Sequence, residues 1–529
     1  MPPIVRDPIQ APECVPVPSG FCAALPEPAD VAATKPTAPP AALQLTADAS
    51  TFAAAPAAAP CSVPSIQLDA AGILEKRRRL VGPNLALFFQ DEPLHVVRGS
   101  GCELFDAEGN SYLDCINNVS HVGHAHPTVA AAASDQLATL NTNSRYLSQG
   151  LVDYAEALVN LLPDPLQVVY MTVSGSEAND LAWRIACTAA RAAQAAAGDT
   201  RPLHVACIDH AYHGHTSAVI DFSPYKFKGP GGTGRPVHVH VLPCPDTYRG
   251  KNLDGAAAAR AAIAAAEAAG GRLAAFFSES ILSCGGQVFL PQGYLAGVYQ
   301  EMRAAGAVCV ADEVQCGFGR VGRAFWAFEL QVVVPDIVTF GKPCGNGFPM
   351  AGLVTTRRLA EAFAGPGMEF FATFGGCNAA AACGLAVLQV MREERLQENA
   401  AAVGAYCLSR LRELQAEYPD LIGDVRSEGL MLGIELVTDS ASRAPAPALA
   451  RHLKAHAKRA HRVLLSTEGP YCSVIKVKPP LCFSPAQADA MVGALRDGLA
   501  RLAPEQRAAL AEASRHEAAQ VAARLARLS

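Results

Sequence analysis

The sequence predicts an α/β protein: a large domain with a mostly parallel sheet flanked by helices, and a smaller α+β domain. Two observations lead to this fold class. From about residue 128, short apolar runs alternate with segments of helical pattern, and alanine-rich helices such as 255–269 separate several of the runs. The chain has 529 residues, half of them hydrophobic, which is enough to bury the cores of two domains.

The strands of the large sheet are predicted from five apolar runs bounded by turn residues. These runs are Val168–Thr172, Val205–Ile208, Ala274–Phe277, Val308–Ala311 and Ile337–Phe340. Before them, residues 104–114 predict a hairpin whose turn contains Gly109. After residue 378 a helix-rich stretch precedes two more predicted strands, Gly429–Leu436 and Val474–Val477.

The same patterns divide the chain into five segments. Residues 1–72 are rich in Ala and Pro without a sustained period, so we expect them to be disordered. Residues 73–125 and 386–503 are expected to form the two parts of the small domain, and 126–385 the large domain. Residues 504–529 predict a lone amphipathic helix.

Composition and charge exclude several kinds of partner. The formal net charge is −6 and no basic stripe is sustained, so nucleic acid is not expected as a partner; the single cluster Lys76–Arg79 is typical of a solvated helix end. No apolar run approaches the roughly 18 residues of a membrane span. The 17 cysteines contain no C-x-x-C pair, which indicates a reducing compartment, the cytoplasm or the mitochondrion. The acidic, arginine-poor N-terminus matches a transit peptide poorly.

Lys342 is the most informative residue, because it follows an apolar strand inside a glycine-rich turn. Burial lowers the pKa of an amine, and a neutral amine can form a Schiff base with an aldehyde cofactor. Asp312 ends another apolar strand upstream. The pair predicts pyridoxal phosphate, with the lysine on the aldehyde carbon and the aspartate on the pyridinium nitrogen. Each residue alone also has an ordinary interpretation, a snorkelling lysine or a capping aspartate.

Three more motifs suit such a cofactor. Gly175 and Ser176 open the helix that follows the strand at 168–172, where free amides bind phosphate, although the same pattern also suits an ordinary capped turn. Tyr212 follows the strand at 205–208 and offers a ring that can stack on a planar group. Thr373 lies close to two glycines and offers a hydroxyl to a phosphate oxygen.

The histidines near these motifs do not predict a metal site. His210, His213 and His215 share one loop, and His124 and His126 share a turn. Neither group has the carboxylate or cysteine spacing that is typical of metal ligands. We therefore expect no metal.

In this order and on this scaffold, the motifs resemble those of the class III (ω-) aminotransferases, which are fold-type I pyridoxal-phosphate enzymes. The resemblance covers roughly residues 73–500. It implies that Lys342 bonds the cofactor, that Asp312 partners the ring nitrogen, and that Thr373 reaches the phosphate from a neighbouring subunit of a homodimer or homotetramer. By position it also implies Gly175 and Ser176 as the phosphate loop, Tyr212 as the stacked ring, Gln315 near the cofactor 3′-oxygen and Glu279 on the substrate side of the ring.

Further stretches resemble one branch of this family, the ethanolamine-phosphate and 5-phosphohydroxy-L-lysine phospho-lyases. They are residues 112–119, 123–127, 140–147, 223–227 and 245–251. Many family members have an Ile-Arg-Phe-x-Pro-Pro stretch whose arginine binds an α-carboxylate through two parallel hydrogen bonds. The residue that matches this arginine here is Lys476. Lysine cannot reproduce that planar contact, so a substrate without an α-carboxylate is expected.

The resemblance thus implies β-elimination of phosphate from a phosphorylated amine to give an aldehyde, ammonia and phosphate, with Lys342 as the base. Arg145 and Lys476 are candidate cations for the substrate phosphate, and an ordinary ion pair is the alternative interpretation of each. A transaminase that moves an amino group from an ω-amino acid or alanine to pyruvate or glyoxylate is the main alternative, because the motifs are shared. A non-catalytic interaction module is a distant alternative, since it predicts damaged cofactor residues.

Overall fold

A computed structural model of the protein describes residues 69–528. The expectation of disorder at 1–72 therefore falls almost wholly outside the described residues. At residues 70–72 the structure differs from this expectation, because the first helix begins at Ala70. Asp69 caps the helix by accepting a hydrogen bond from the Gly72 amide at 2.8 Å. The basic cluster Lys76–Arg79 was expected to open the first helix at a solvated helix end; it lies instead towards the C-terminal end of this helix, which has no buried residues.

Thirteen α-helices lie within the described residues. They are α1 (Ala70–Leu80), α2 (Pro127–Thr139), α3 (Gln149–Val159), α4 (Gly175–Ala197), α5 (Pro224–Phe227), α6 (Gly255–Ala268), α7 (Tyr294–Ala304), α8 (Arg357–Ala364), α9 (Asn378–Glu393), α10 (Leu396–Glu417), α11 (Pro447–His461), α12 (Pro485–Ala500) and α13 (Pro504–Leu528).

Across residues 69–528 the strands form four sheets. They are β1 (Val96–Ser100), β2 (Glu103–Asp106), β3 (Ser111–Asp114), β4 (Leu166–Thr172), β5 (Leu203–Ile208), β6 (Val239–Leu242), β7 (Arg272–Glu279), β8 (Ile281–Leu282), β9 (Val288–Phe289), β10 (Val308–Asp312), β11 (Ile337–Phe340), β12 (Ala351–Thr356), β13 (Ile422–Glu428), β14 (Met431–Leu436), β15 (Val463–Leu464), β16 (Ser466–Glu468) and β17 (Val474–Val477).

The main sheet has seven strands in the order β4-β12-β11-β10-β7-β5-β6. Its strands from β11 to β6 are all parallel, whereas β12 runs antiparallel to both β11 and β4. All five predicted strands lie in it, so the predicted α/β class with a mostly parallel sheet is confirmed. Two of its strands, β6 and β12, were not predicted.

Helices cover both faces of this sheet. Neighbouring residues of β7 point to opposite sides, so Phe277 packs against α4 and α8 while Phe276 packs against α6 and α7. Every residue of β10 and β11 is buried. Burial on both faces explains why these strands read as continuous apolar runs rather than as alternating patterns.

Two smaller sheets belong to the segments on either side of the main sheet. The predicted hairpin is confirmed: β2 pairs with β3, and Gly109 in the turn has φ +84°. Strand β15 adds to β3, which joins the segment before the main sheet to the segment after it. The predicted strands at 429–436 and 474–477 are β14 and β17, which pair in the sheet β13-β14-β17-β16. The domain boundaries stay a prediction, because the described residues belong to one compact unit.

Helix α13 is not the lone helix that the sequence predicted, because it packs on α11. Ser514 is fully buried, and its Oγ accepts a hydrogen bond from the Ala448 amide at 3.1 Å. Glu517 pairs with Arg451 at 2.6 Å. Of the helices between residues 69 and 528, none combines the length and apolar character that crossing a bilayer requires.

Candidate active site

A cleft of about 390 Å³ opens at the carboxyl edge of the main sheet. The chain segments that follow β4, β5, β10 and β11 line it, because the carboxyl ends of parallel strands meet at one edge. Six of the residues that the sequence singled out lie together in its lining: Gly175, Ser176, Tyr212, Asp312, Gln315 and Lys342.

Lys342 begins a single 3₁₀ turn directly after β11 and is half-buried. Its φ is +32°, a conformation that costs free energy in any residue other than glycine and that tends to occur at functional sites. Within the described part of the chain its amine has no hydrogen-bond or ion-pair partner. The amine is therefore available to bond an aldehyde in the cleft.

Asp312 is 2% exposed, and its carboxylate is held by three donors. Oδ2 accepts hydrogen bonds from Asn179 Nδ2 and His213 Nδ1, both at 2.8 Å, and Oδ1 accepts one from the Val314 amide at 3.1 Å. These contacts fix the orientation of a carboxylate in the lining of the cleft. A carboxylate held in this way suits a protonated ring nitrogen.

Asn179 and His213 were not predicted as site residues, although both lie in stretches that the sequence singled out. Asn179 also donates to the His213 carbonyl at 2.7 Å and accepts from Thr339 Oγ1 at 2.8 Å, so both ends of its amide are occupied. The available signal was an asparagine on the apolar face of a helix. A buried amide needs partners, and here those partners are the groups around Asp312.

Gln315 has an amide whose orientation is fixed by its neighbours. Its Oε1 accepts hydrogen bonds from Asn118 Nδ2 at 2.8 Å and from Lys478 Nζ at 2.7 Å. Because both partners are donors, Nε2 is the atom left to donate toward the cleft. A donor there suits an acceptor such as the 3′-oxygen of the cofactor. Neither Asn118 nor Lys478 was predicted as a site residue.

Glu279 supports the loop that carries Tyr212. It ends β7 directly opposite Asp312 on β10, is 1% exposed, and accepts hydrogen bonds from the amides of Tyr212 and Ser283, each at 3.0 Å. Burial, and then the charge of Asp312, raises the pKa of Glu279 to about 7. These contacts give Glu279 a structural part that the sequence did not predict, and its position on the substrate side of the ring stays a prediction.

The start of α4 carries the two residues predicted as a phosphate loop, Gly175 and Ser176. A Cβ on Gly175 would lie 2.9 Å from the side chain of Val314, so only glycine lets this turn approach β10 so closely. Ser174 and Glu177 form a reciprocal capping box. The first amides of a helix have no acceptor within the helix and attract anions. With Asp312, Tyr212 and Lys342 in the same cleft, the residues present fit pyridoxal phosphate.

Four predicted residues are not part of the cleft lining: Glu279, which lies behind the Tyr212 loop, and Arg145, Thr373 and Lys476. Arg145 is exposed, pairs with Glu369 at 3.1 Å and lies 3.9 Å from the centre of the Phe371 ring. Thr373 is also exposed, two residues further along the same loop. Lys476 is 9% exposed, and its Nζ pairs with Glu468 Oε1 at 2.5 Å.

Comparisons with known proteins agree with this geometry. Residues 89–499 match the family described as aminotransferase class-III. An alanine–glyoxylate aminotransferase 2-like protein of Drosophila melanogaster is 44% identical over 463 residues, which cover 85% of this chain and 92% of the relative. An ethanolamine-phosphate phospho-lyase homolog 1 of Caenorhabditis elegans is 39% identical over 431 residues, covering 78% and 90%.

A solved structure is similar as well. The structure of a phospholyase from Arthrobacter in complex with phosphoethanolamine has a TM-score of 0.74 and 39% identity, covering 82% of this chain and all of that one. The predicted family, fold and cofactor are thereby confirmed. Because the family match and the relatives span most of its length, the chain belongs to the class-III aminotransferases, which are fold-type I enzymes that depend on pyridoxal phosphate.

Proposed function

We propose that this enzyme is a phospho-lyase. Its substrate is a phosphorylated amine, phosphoethanolamine or 5-phosphohydroxylysine, and its products are an aldehyde, ammonia and inorganic phosphate. The observation that carries the proposal is that Lys476 already forms an ion pair with Glu468. Lys476 occupies the position at which many family members have a carboxylate-binding arginine.

Lys476 is poorly suited to bind an α-carboxylate. A lysine lacks the planar fork of a guanidinium, and here its charge is already matched by Glu468 at 2.5 Å in a largely buried pair. An α-amino acid would have to break that pair to gain a weaker contact than an arginine provides. A substrate whose reacting amine is on a carbon without a carboxylate, as in phosphoethanolamine or at the side-chain amine of 5-phosphohydroxylysine, does not need the contact.

The chemistry assigned to the residues begins with proton removal. Lys342 Nζ takes a proton from the carbon that carries the substrate nitrogen, and the C–O bond to phosphate on the next carbon breaks, with its electron pair leaving on the phosphate. Bound pyridoxal phosphate supplies the electron sink for this step. The enamine released gains a proton on carbon, and water hydrolyses it to the aldehyde and ammonia.

The other residues of the cleft bind and orient. With pyridoxal phosphate bound, Asp312 would hold the proton on the pyridine nitrogen, and Gln315 Nε2 would donate to the 3′-oxygen. The Tyr212 ring would stack on the cofactor, and the amides of Gly175 and Ser176 would bind its phosphate. The shared position of these residues in one cleft supports these roles.

A homodimer completes the site in this proposal. Thr373 and Arg145 are exposed on neighbouring segments, together with Tyr146 at 69% and Phe374 at 64% exposure. Large apolar side chains exposed together favour a protein interface. If Thr373 reaches the cofactor phosphate of the next subunit, Arg145 enters the same cleft beside it and is available to the substrate phosphate.

Relatives support the proposal and its alternative. The C. elegans relative is named as a phospho-lyase homolog, and the Arthrobacter structure is titled as a phospholyase bound to phosphoethanolamine. The Drosophila relative is named for an aminotransferase. Transamination from an ω-amino acid or alanine to pyruvate or glyoxylate is therefore the second candidate. The compartment, cytoplasm or mitochondrion, stays a prediction.

The test is a phosphate-release assay on the purified holoenzyme. With phosphoethanolamine or 5-phosphohydroxylysine and no keto acid, we expect phosphate and ammonia in equal amounts, and none from the Lys342→Ala variant. A parallel reaction with an ω-amino acid and pyruvate is checked for alanine. Alanine formation without phosphate release from either amine would replace the phospho-lyase by the transaminase.

A further inference from the structure

Lys478 is a buried lysine that has no anionic partner in the described residues. It follows β17, is 2% exposed, and its Nζ donates to Ser283 Oγ at 2.8 Å and to Gln315 Oε1 at 2.7 Å. Both acceptors are neutral, and across residues 69–528 no carboxylate forms an ion pair with this amine. A charge buried in this way is costly unless something else compensates it.

The charges around Lys478 are also mainly positive. Burial, and then the charges of Lys476, Lys342 and Arg320, hold the pKa of the Lys478 amine well below its usual range. Arg320 is itself 1% exposed, and its guanidinium donates to the carbonyls of Leu430 and Pro479 and contacts the His121 ring rather than a carboxylate. Lys478 therefore lies among other basic side chains and has no carboxylate of its own in the described residues.

Lys476 and Lys478 differ in whether a carboxylate pairs with them. Lys476 lies within β17, and Lys478 directly follows its last residue, Val477. Glu468 neutralises Lys476, whereas no carboxylate in the described residues pairs with Lys478. The cofactor phosphate is expected at the start of α4, so it does not account for the anion that Lys478 lacks.

We propose that Lys478 is the cation that binds the phosphate group of the substrate. The inference rests on the phospho-lyase function proposed above and replaces Lys476 in that role. Gln315 lines the cleft and also accepts a hydrogen bond from Lys478, so it links the cleft to this lysine. When the substrate phosphate binds, Lys478 Nζ would give up its hydrogen bond to Gln315 Oε1 and donate to phosphate oxygens. Gln315 Oε1 would keep its hydrogen bond from Asn118. Such a charge-assisted contact is stronger than the bonds it replaces.

The proposal is tested by binding of inorganic phosphate to the holoenzyme, measured by calorimetry without turnover. We expect Lys478→Met and Lys478→Gln each to weaken phosphate binding roughly thirtyfold or more, because truncating one partner of a buried charge pair has that order of effect. The Lys454→Met variant, which removes a lysine of α11, should bind phosphate as the wild type does. Wild-type affinity in Lys478→Gln would overturn the proposal, since that side chain keeps the hydrogen bonds and loses only the charge.

Proton uptake provides a second readout. A phosphate dianion favours the charged form of Lys478, so binding at neutral pH should take up protons in the wild type and not in Lys478→Met; this is measured in buffers of different ionisation enthalpy. Equal uptake in both proteins would also overturn the proposal.

Folding and function are separable in this design. Lys478→Met removes a buried amine that has no anionic partner in the described residues, so its thermal midpoint without phosphate should not fall, and a fall of several degrees would indicate a purely structural lysine. If phosphate binding depends on Lys478 while no phosphorylated amine is turned over, the phospho-lyase function fails and the phosphate site remains. If phosphate is released at the wild-type rate by Lys478→Met, only the present inference fails.

Discussion

The carboxylate of Asp312 accepts a 2.8 Å hydrogen bond from Nδ1 of His213, and both side chains are almost fully buried. An ionised carboxylate can only accept, so Nδ1 carries the proton of this bond. The rings of Phe222 and Phe277 flank the imidazole, and its Nε2 is buried without a hydrogen-bond partner in the described residues. His213 therefore acts on the cleft through Asp312.

Replacing His213 by Phe should lower kcat by roughly ten- to a hundredfold, because a hydrogen bond to a charged group contributes about 1.5–3 kcal/mol. KM should change less, since His213 does not bind substrate. In His213→Asn the side-chain amide can donate from nearly the same position, so most of the rate should return. The measurement is steady-state phosphate release by holoenzyme, and an equal loss in both variants would contradict a positioning role.

Glu279 should make stability depend on pH. Its pKa is about 7 in the folded protein and 4.5 in the unfolded chain. The folded protein therefore holds this proton more tightly, so the contribution is fully present below pH 4.5 and is lost as pH rises through about 7. The free energy of unfolding should fall by about 3 kcal/mol across that window because of Glu279 alone.

In Glu279→Gln this part of the pH slope should disappear. A constant loss should remain at every pH, because a glutamine oxygen can accept from only one of the Tyr212 and Ser283 amides. Urea unfolding at several pH values measures both effects. Glu512→Gln, on the exposed side of α13, is the control and should keep the wild-type slope. A wild-type slope in Glu279→Gln would show that Glu279 does not titrate in this window.

The main sheet was predictable from sequence because its central strands are buried on both faces. Runs such as β10 and β11 are then apolar throughout and end abruptly at polar residues. Strand β12 begins with Ala and Gly and was not predicted, since small residues give no strand pattern. Its place between β4 and β11 depends on pairing with strands that are distant along the chain.

The candidate site was predictable where its residues follow strand ends. Asp312, Lys342 and Tyr212 could be grouped because parallel strands end at one edge. Lys478 and Asn118 could not, because what brings them to Gln315 is the packing of segments far away in sequence. The sequence also did not predict that Lys476 has a carboxylate partner, whereas Lys478 has none in the described residues.

Helix α13 should contribute to stability through one buried hydroxyl. Ser514→Ala removes the acceptor of the Ala448 amide and leaves that amide buried without a partner, which costs about 1–3 kcal/mol. The free energy of unfolding from denaturant titration should fall by that amount. Glu512→Ala, two residues away on the exposed side of the same helix, should leave it unchanged. Equal stability of both variants would mean that α13 does not dock in this way.

The proposed contribution of Thr373 to a neighbouring subunit can be tested by mixing two inactive variants. Lys342→Ala lacks the amine, and Thr373→Asp places a carboxylate where a phosphate oxygen is expected, so each alone should be inactive. In a hybrid dimer the subunit that keeps Lys342 would receive an intact Thr373 from its partner. Random mixing makes half of the dimers hybrid, each with one complete site, so about a quarter of the wild-type rate should return.

Asp312→Ala provides the matched control for that mixture. Asp312 and Lys342 line the cleft of one chain, so no hybrid of Asp312→Ala with Lys342→Ala contains a complete site, and the mixture should stay inactive. Arg145→Ala mixed with Lys342→Ala should behave like the Thr373 pair, because Arg145 lies on the same exposed surface, against Phe371. If tagged hybrids form and the Thr373→Asp mixture remains inactive, Thr373 does not act across the subunit boundary.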